Sequence, residues 1–171
     1  MPFTKLLPTS IDLAQDFTFT GTVAGAGGGK VAQVVQAICS GGDSSTNSST
    51  LQSSNVAVTI TPTASDSKVL VMMNFGGSSG VDQNKTLGLR LFRGSTALGN
   101  NTQIGNYNAT SAGQRSHNMS IQFLDSPSTT SATTYTLKFH CAQNDSTVSI
   151  TASGDTQAYA QAMEILAWYL K

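Results

Sequence analysis

The sequence predicts an all-β protein: a jelly-roll-like antiparallel β-sandwich with an extended N-terminal arm. Segments in which apolar and polar residues alternate recur along the chain, and this period of two is typical of half-buried strands. Connections rich in Ser, Thr, Asn and Gly separate these segments. Residues that favour helices are scarce, since Glu164 is the only glutamate in 171 residues. About eight strands at short spacing favour a sandwich of the jelly-roll type.

The first 30 residues differ from the rest and predict an arm. Residues 17–23 alternate, with Phe17 and Phe19 on one face and Val23 at the end, and a glycine-rich joint follows at 25–29. An alternating segment on such a joint can pair with the sheet edge of a neighbouring chain. We therefore expect an attachment arm at 1–30, with Phe17, Phe19 and Val23 as its contact residues, and a sandwich domain at 31–171. The alternative is that this segment pairs with its own domain.

Seven further segments predict strands of the sandwich. The run 69–75 is almost continuously apolar, which indicates a central strand or a subunit contact. Three polar stretches are expected to be loops: 40–55, 76–84 and 99–118, the last with one short strand. The predicted strands are Val31–Cys39, Val56–Ile60, Val69–Phe75, Leu87–Leu91, Met119–Phe123, Tyr135–Cys141 and Thr147–Ala152.

The clearest pair of strands flanks the connection from Asp125 to Thr133. This connection is too long for a tight hairpin and suits a crossing over the end of a sandwich. We expect displayed loops here and in the long polar stretch before residue 118. The candidate displayed residues are Asp125, Ser126, Pro127, Asn106 and Tyr107.

The last apolar segment, Ala160–Leu170, fits either a helix or a strand. Its Ala, Met, Glu and Leu residues favour a helix. In an all-β chain we expect a strand, which would fix the end of the chain within a sheet.

Composition limits the possible partners. Charged residues make up 11% of the chain, against about 25% in an average soluble domain. Nine basic residues balance nine acidic ones, and the basic residues are scattered, so we expect no nucleic-acid site. No segment is apolar over the length of a membrane span, and no signal peptide is evident. Cys39 and Cys141 could form one disulfide, but we expect two partly buried thiols.

Candidate catalytic motifs lack the context that their chemistry requires. Residues 76–80 read Gly-Gly-Ser-Ser-Gly, which matches the nucleophile motif of serine hydrolases at Ser78. His117 or His140 could serve as its base and Asp125 as the orienting acid, yet no helix follows Ser78 and no βα pattern exists. The spacing of His, Cys and Asp predicts no metal site, and nothing predicts a cofactor. We expect a protein that is not an enzyme.

Several segments resemble short structural proteins of tailed bacteriophages, especially marine and freshwater ones. The matching segments are Lys5–Leu13, Phe17–Val23, Ile60–Val71, Leu91–Thr96, Leu124–Tyr135 and Met163–Ile165. Proteins of this kind are tail-fibre or virion structural proteins, and the resemblance implies a trimeric β-sandwich located in the virion after assembly in the host cytoplasm. It implies no catalytic residues. The methionines and cysteines within the predicted strands are a departure of this sequence from those phage proteins.

Two functions follow from this resemblance. A tail fibre normally contains a shaft built from coiled-coil heptads or another repeat, and this sequence contains neither, which favours the first function. The first is a homotrimeric capsid decoration (cement) protein that binds the major capsid protein and stabilises the shell. The second is a short tail-fibre or receptor-binding knob, held by a tail attachment protein and contacting a host surface glycan. A hydrolase using Ser78 is a remote third.

Overall fold

The computed structural model describes residues 31–79, 86–105, 115–142, 147–151 and 157–166. None of these residues is helical, and accordingly no helix among them could cross a membrane. Ten strands lie within these ranges. They are β1 Val31–Cys39, β2 Ser44–Thr46, β3 Gln52–Ile60, β4 Lys68–Ser79, β5 Thr86–Arg93, β6 Thr96–Gly105, β7 Arg115–Asp125, β8 Thr133–Cys141, β9 Val148–Thr151 and β10 Ala158–Ile165.

The strands form two antiparallel sheets whose order is that of a jelly roll. Sheet I contains β1, β10, β4 and β7 in that order, and the short strands β9 and β2 extend it beside the far end of β4. Sheet II contains β3, β8, β5 and β6. Without β2 and β9, the eight long strands make the two interleaved four-stranded sheets of a double Greek key. The predicted fold class is confirmed.

The core lies between the two sheets and contains one side of every long strand. Alternate residues of β4 and β8 point into it and are almost completely buried, because the period of two places every second residue on the same face. Each fully buried side chain of this size contributes about 1.5–3 kcal/mol. The largest apolar or aromatic members are Tyr135, Phe139, Ile60, Met73, Leu91, Leu137 and Ile150.

Most sequence predictions for the strands are confirmed. Strand β4 is central, since it pairs with β10 and β9 on one side and with β7 on the other. The last segment is a strand between β1 and β4, although it begins at Ala158 and is described only to residue 166. The connection 126–132 leads from sheet I to sheet II, as expected for a crossing over the end of the sandwich.

Two predicted loops are instead partly strand. Residues 76–79 continue β4. Gly77 leaves space for the side chains of Met119 and Leu87, since a Cβ at this position would collide with Met119 Cε. Residues 52–55 begin β3, and the hydroxyl of Ser54 donates a buried hydrogen bond of 2.7 Å to the carbonyl of Leu137. A polar residue can thus occupy an inward position once its hydroxyl is paired.

The stretches 40–55 and 99–118 contain more strand than predicted. Strand β2 lies within the first, and β6 extends through Gly105 in the second, followed by β7 from Arg115. Most of β6 was not predicted, because its glycine and asparagine residues interrupt the alternation of apolar and polar residues. The predicted arm, with Phe17, Phe19 and Val23, lies outside the described residues, and its role stays a prediction.

Candidate assembly and display surfaces

The first predicted display residue, Asp125, belongs to the interior. It ends β7 and is only 6% exposed. Its Oδ2 accepts hydrogen bonds from Arg93 Nη1 at 2.7 Å and from the Tyr135 hydroxyl at 2.8 Å. Burial raises the pKa of the Tyr135 hydroxyl, and the hydrogen bond to Asp125 raises it further. The prediction that Asp125 is displayed is therefore wrong: its carboxylate joins β5, β7 and β8.

The next two residues of this connection lie at the surface. Ser126 is exposed, and its hydroxyl accepts a hydrogen bond of 2.9 Å from Lys68 Nζ. Its carbonyl accepts one of 3.2 Å from Arg93, and Pro127 is partly exposed. This turn is therefore presented in a fixed position by two cationic side chains.

The other two predicted display residues, Asn106 and Tyr107, lie outside the described residues. They belong to the connection that enters β7 at residue 115, whereas Ser126 and Pro127 leave the same strand at its other end. Eleven residues of strand span about 34 Å. The predicted strand Met119–Phe123 already separates these two loop groups in the sequence.

A second buried carboxylate, Glu164, was not predicted as a key residue. Its Oε1 accepts hydrogen bonds from the Thr63 amide at 2.7 Å, the Thr63 hydroxyl at 3.0 Å and the Ala64 amide at 3.3 Å. Its Oε2 accepts one from Gln33 Nε2 at 2.7 Å. Burial by itself would raise the pKa of this carboxyl, but the hydrogen bonds from Gln33 and Thr63 outweigh it and lower the pKa to about 2.

Glu164 thereby connects three segments of the chain at one end of the sandwich. It joins β10, the edge strand β1 and the turn between β3 and β4. The register also places Glu164 and Asp125 on either side of Val69 in one row of sheet I. A signal existed in the sequence: the residues that alternate with it towards the N-terminus are Ala158, Ala160 and Ala162, which is an inward pattern.

The outer face of sheet I, called here the apolar face, carries a continuous row of large apolar side chains. The register aligns Val34 with Met163, Met163 with Leu70, and Leu70 with Leu124. One residue comes from each of four adjacent strands, and the row runs from the β1 edge to the β7 edge. Val34 is 56% exposed and Leu124 is 51% exposed, so the two flanks of the row are the most open part of it.

The neighbouring rows of the apolar face are uncharged. The second row consists of Gln36, Gln161, Met72 and Gln122. The third consists of Ile38, Tyr159, Asn74 and Ser120. These twelve positions thus carry no side chain that is charged at neutral pH, whereas the row on the other side of Val34–Leu124 contains Lys68. The Gln161 amide donates a 2.8 Å hydrogen bond to Gln36.

The outer face of sheet II has the opposite chemistry. Hydroxyls of Thr59 and Thr134 share a hydrogen bond of 2.8 Å across β3 and β8. Arg90 and Lys138 are direct partners in the register of β5 and β8. Arg90 donates a 2.8 Å hydrogen bond to a backbone carbonyl, and the Lys138 ammonium lies 4.3 Å from the centre of the Phe92 ring. This face is polar and cationic.

The candidate hydrolase residues do not form a site. Ser78 lies within β4, where it pairs with Ser116 and Ser149, and not at a turn between a strand and a helix. The exposed His117 pairs with Gly77, but Asp125 lies eight residues further along β7. His140 lies on the outward face of β8, with its ring against Gly88.

No group of three potential metal ligands comes together within the part of the chain that the structure describes. Cys39 and Cys141 are free thiols, and both are buried in the core. The thiol of Cys39 lies 3.7 Å from the carbonyl of Ala57.

The chain matches no protein-family model and no curated protein sequence. Among solved structures it is similar to VP2 of infectious bursal disease virus. A VP2 subviral particle gives 9% identity and a TM-score of 0.38, covering 78% of this chain and 41% of that chain. T=1 particles derived from that virus give 10% identity and a TM-score of 0.40, covering 93% and 47%. The Gx strain gives 13% identity and a TM-score of 0.33, covering 79% and 32%.

The chain spans less than half the length of each of these proteins. At such identities and TM-scores the similarity concerns the arrangement of strands and carries no argument about function.

Proposed function

We propose that this chain is a non-enzymatic structural protein on the exterior of a bacteriophage virion. Its specific role is that of a homotrimeric capsid decoration (cement) protein that binds the major capsid protein and stabilises the shell. The observation that carries the proposal is the difference between the two outer faces of the sandwich. One carries a row of exposed apolar side chains beside uncharged polar ones, with Lys68 at its end, and the other is polar and cationic.

An exposed apolar face has a cost in solution, because soluble monomers rarely keep large contiguous apolar patches. A protein that assembles needs such a face, and its three uncharged rows can be buried with no ion to desolvate. The polar face of sheet II suits contact with solvent. The resemblance of several segments to phage virion proteins supports the particle exterior as the place of assembly.

Residues 1–30 complete the proposal as an attachment arm. Phe17, Phe19 and Val23 would contact the neighbouring shell subunits by adding a short strand to a sheet edge. The arm enters β1, which is an edge strand of sheet I. Deletion of residues 1–24 should leave the sandwich folded and abolish incorporation into particles.

The direct test counts copies in purified virions by quantitative mass spectrometry. A decoration protein should be present at a copy number comparable to that of the major capsid protein, and particles lacking it should lose DNA at a lower temperature. A small fixed number of copies for each particle would contradict the decoration role and support a fibre.

A tail-fibre or receptor-binding knob is the second candidate, and one observation favours it. Ser126 and Pro127 lie at the surface in a turn fixed by Lys68 and Arg93, which is a suitable arrangement for contacting a host surface glycan. The purified protein should then block adsorption of the phage to its host. Full adsorption at a saturating dose of protein would exclude this role.

A further inference from the structure

The outer face of sheet II carries two cations that directly oppose each other. We propose that this face binds an acidic polysaccharide through Arg90, Lys138 and His140, called here the basic cluster. The inference goes beyond the proposed function, because it assigns a ligand to the face that the proposed shell contact does not use. It concerns the purified protein and does not depend on the role of the chain in a virion.

The register places like charges opposite each other in the basic cluster. Arg90 of β5 and Lys138 of β8 are direct partners in an antiparallel pair, and like charges in this position destabilise a sheet. The four strands of sheet II contain no aspartate or glutamate that could compensate them. An anion bound between the two side chains would replace their repulsion with two attractive contacts.

The two cationic side chains are held by neighbours that bring no negative charge. Arg90 Nη2 donates a hydrogen bond of 2.8 Å to the carbonyl of Gly99. The Lys138 ammonium lies 4.3 Å from the centre of the Phe92 ring. Arg90 and Lys138 are both partly exposed. Their charges therefore lie in fixed positions at the surface of the described sandwich.

The basic cluster also lacks hydrogen-bond partners. Within the described ranges, four buried side-chain nitrogen or oxygen atoms have no partner, and three of them are Arg90 Nε, His140 Nδ1 and His140 Nε2. His140 is the partner of Gly88 in the register, and the missing side chain of Gly88 gives space to the imidazole ring. Polar atoms without partners are unfavourable. A ligand that offers several oxygen atoms as acceptors matches this shortage.

The surroundings of the basic cluster favour a polysaccharide over other anions. The outward positions that precede Lys138 on β8 are Thr134 and Thr136, and the Thr134 hydroxyl shares a hydrogen bond with Thr59. These hydroxyls can donate and accept hydrogen bonds, as sugar hydroxyls do. From Thr134 to Lys138 the strand rises about 13 Å, which is longer than a free sulfate or phosphate ion. A nucleic-acid site normally clusters more lysine and arginine than these two residues.

Anisotropy titrations with labelled polysaccharides test the ligand class. The probes are dextran sulfate, polygalacturonate and uncharged dextran of similar length, at about 0.15 M salt. We expect binding to dextran sulfate, to polygalacturonate or to both, which separates sulfate from carboxylate recognition, and none to uncharged dextran. Absence of binding to both acidic polysaccharides, or equal binding to uncharged dextran, would overturn the inference. Tighter binding to a single-stranded oligonucleotide would also overturn it and indicate a polynucleotide site.

Substitutions locate the site on the sheet. Lys138→Gln and Arg90→Gln should each weaken binding at least about tenfold, because each removes a charge-assisted contact. Lys138→Arg keeps the charge and should bind within about threefold of the natural protein. Ser65→Asp is the matched control, since it lowers the net charge by the same unit in the exposed turn between β3 and β4.

The control should change the affinity by less than about twofold, because salt screens charges that lie more than a Debye length from the ligand. Equal losses in S65D and K138Q would show attraction by net charge alone and would overturn the site. Natural affinity in both K138Q and R90Q would overturn it as well.

Thermal unfolding separates an effect on binding from an effect on folding. The natural protein and K138Q should unfold at similar temperatures in buffer, because Lys138 is partly exposed and its removal relieves the repulsion from Arg90. The acidic polysaccharide that binds should raise the thermal midpoint of the natural protein more than that of K138Q. An equal rise in both proteins would place the ligand elsewhere and refute the inference.

Discussion

Replacement of Glu164 by glutamine offers a test of the network that holds β1 and the β3–β4 turn to the rest of sheet I. The substitution keeps the size of the side chain but removes its charge. The new amide group cannot accept the hydrogen bond from Gln33 Nε2, so two donors face each other. The bonds from Thr63 lose the strength that a charged acceptor provides.

The magnitude follows from the pKa of the carboxyl group. A glutamate with an ordinary pKa of 4.5 titrates in the folded protein at about 2. At about 1.4 kcal/mol for each tenfold change in protonation, the upper limit of the contribution to folding is about 3 kcal/mol. Because Thr63 is exposed and water competes for this acceptor, about 2 kcal/mol is expected at neutral pH.

The sign of the pH dependence is fixed by the direction of the shift. A depressed pKa stabilises the folded state above the unfolded value, and this contribution is lost as the pH falls from about 4.5 to about 2. The natural protein should therefore exceed E164Q in its free energy of unfolding at pH 7, and the gap should close towards pH 2.

Urea unfolding at several pH values, followed by tryptophan fluorescence or circular dichroism, measures this gap. Asp66→Asn is the matched control, since Asp66 is an exposed carboxylate near the same turn and its loss should change stability by less than about 0.5 kcal/mol. A gap between the natural protein and E164Q that stays constant from pH 7 to pH 2 would refute the reasoning. So would an unchanged stability of E164Q at pH 7.

Two more substitutions test contacts within the sandwich. Asp125→Ala should lower the free energy of unfolding by about 2–4 kcal/mol, because it leaves the buried Tyr135 hydroxyl and the Arg93 guanidinium without their acceptor; a loss below 1 kcal/mol in thermal or urea unfolding would show that water replaces it. Gly88→Ala should cost about 1–3 kcal/mol, because a Cβ would lie 2.0 Å from His140 Nε2. The same change in a His140→Ala background should cost much less, and an equal cost in both backgrounds would exclude the clash.

The fold could be predicted because the inward positions follow a strict period of two. The leucines of β5, the aromatic residues of β8 and the two apolar residues of β9 all face the core at alternate positions of strands that the sequence predicts. Where a polar or small residue faces inward, the alternation of apolar and polar residues is broken and the sequence does not predict a strand. Ser54 and Gly77 are such cases: the first is paired through its hydroxyl, and the second gives space to Met119.

The surfaces were harder to predict, since they depend on register between strands that are distant in sequence. Val34, Leu70, Leu124 and Met163 span 130 residues of chain, and only the pairing of four strands makes them one row. The interior position of Asp125 depends in the same way on Arg93 and Tyr135, which come from two other strands. A loop sequence rich in Ser and Thr does not reveal that its first residue is buried.

The direct measurement of the proposed assembly is a cryo-electron microscopy map of the intact particle. The proposal predicts three copies of the sandwich at each three-fold position of the capsid, with the apolar face covered by a neighbouring subunit. A map in which the apolar face is open to solvent, or in which the sandwich occurs only on the tail, would contradict it.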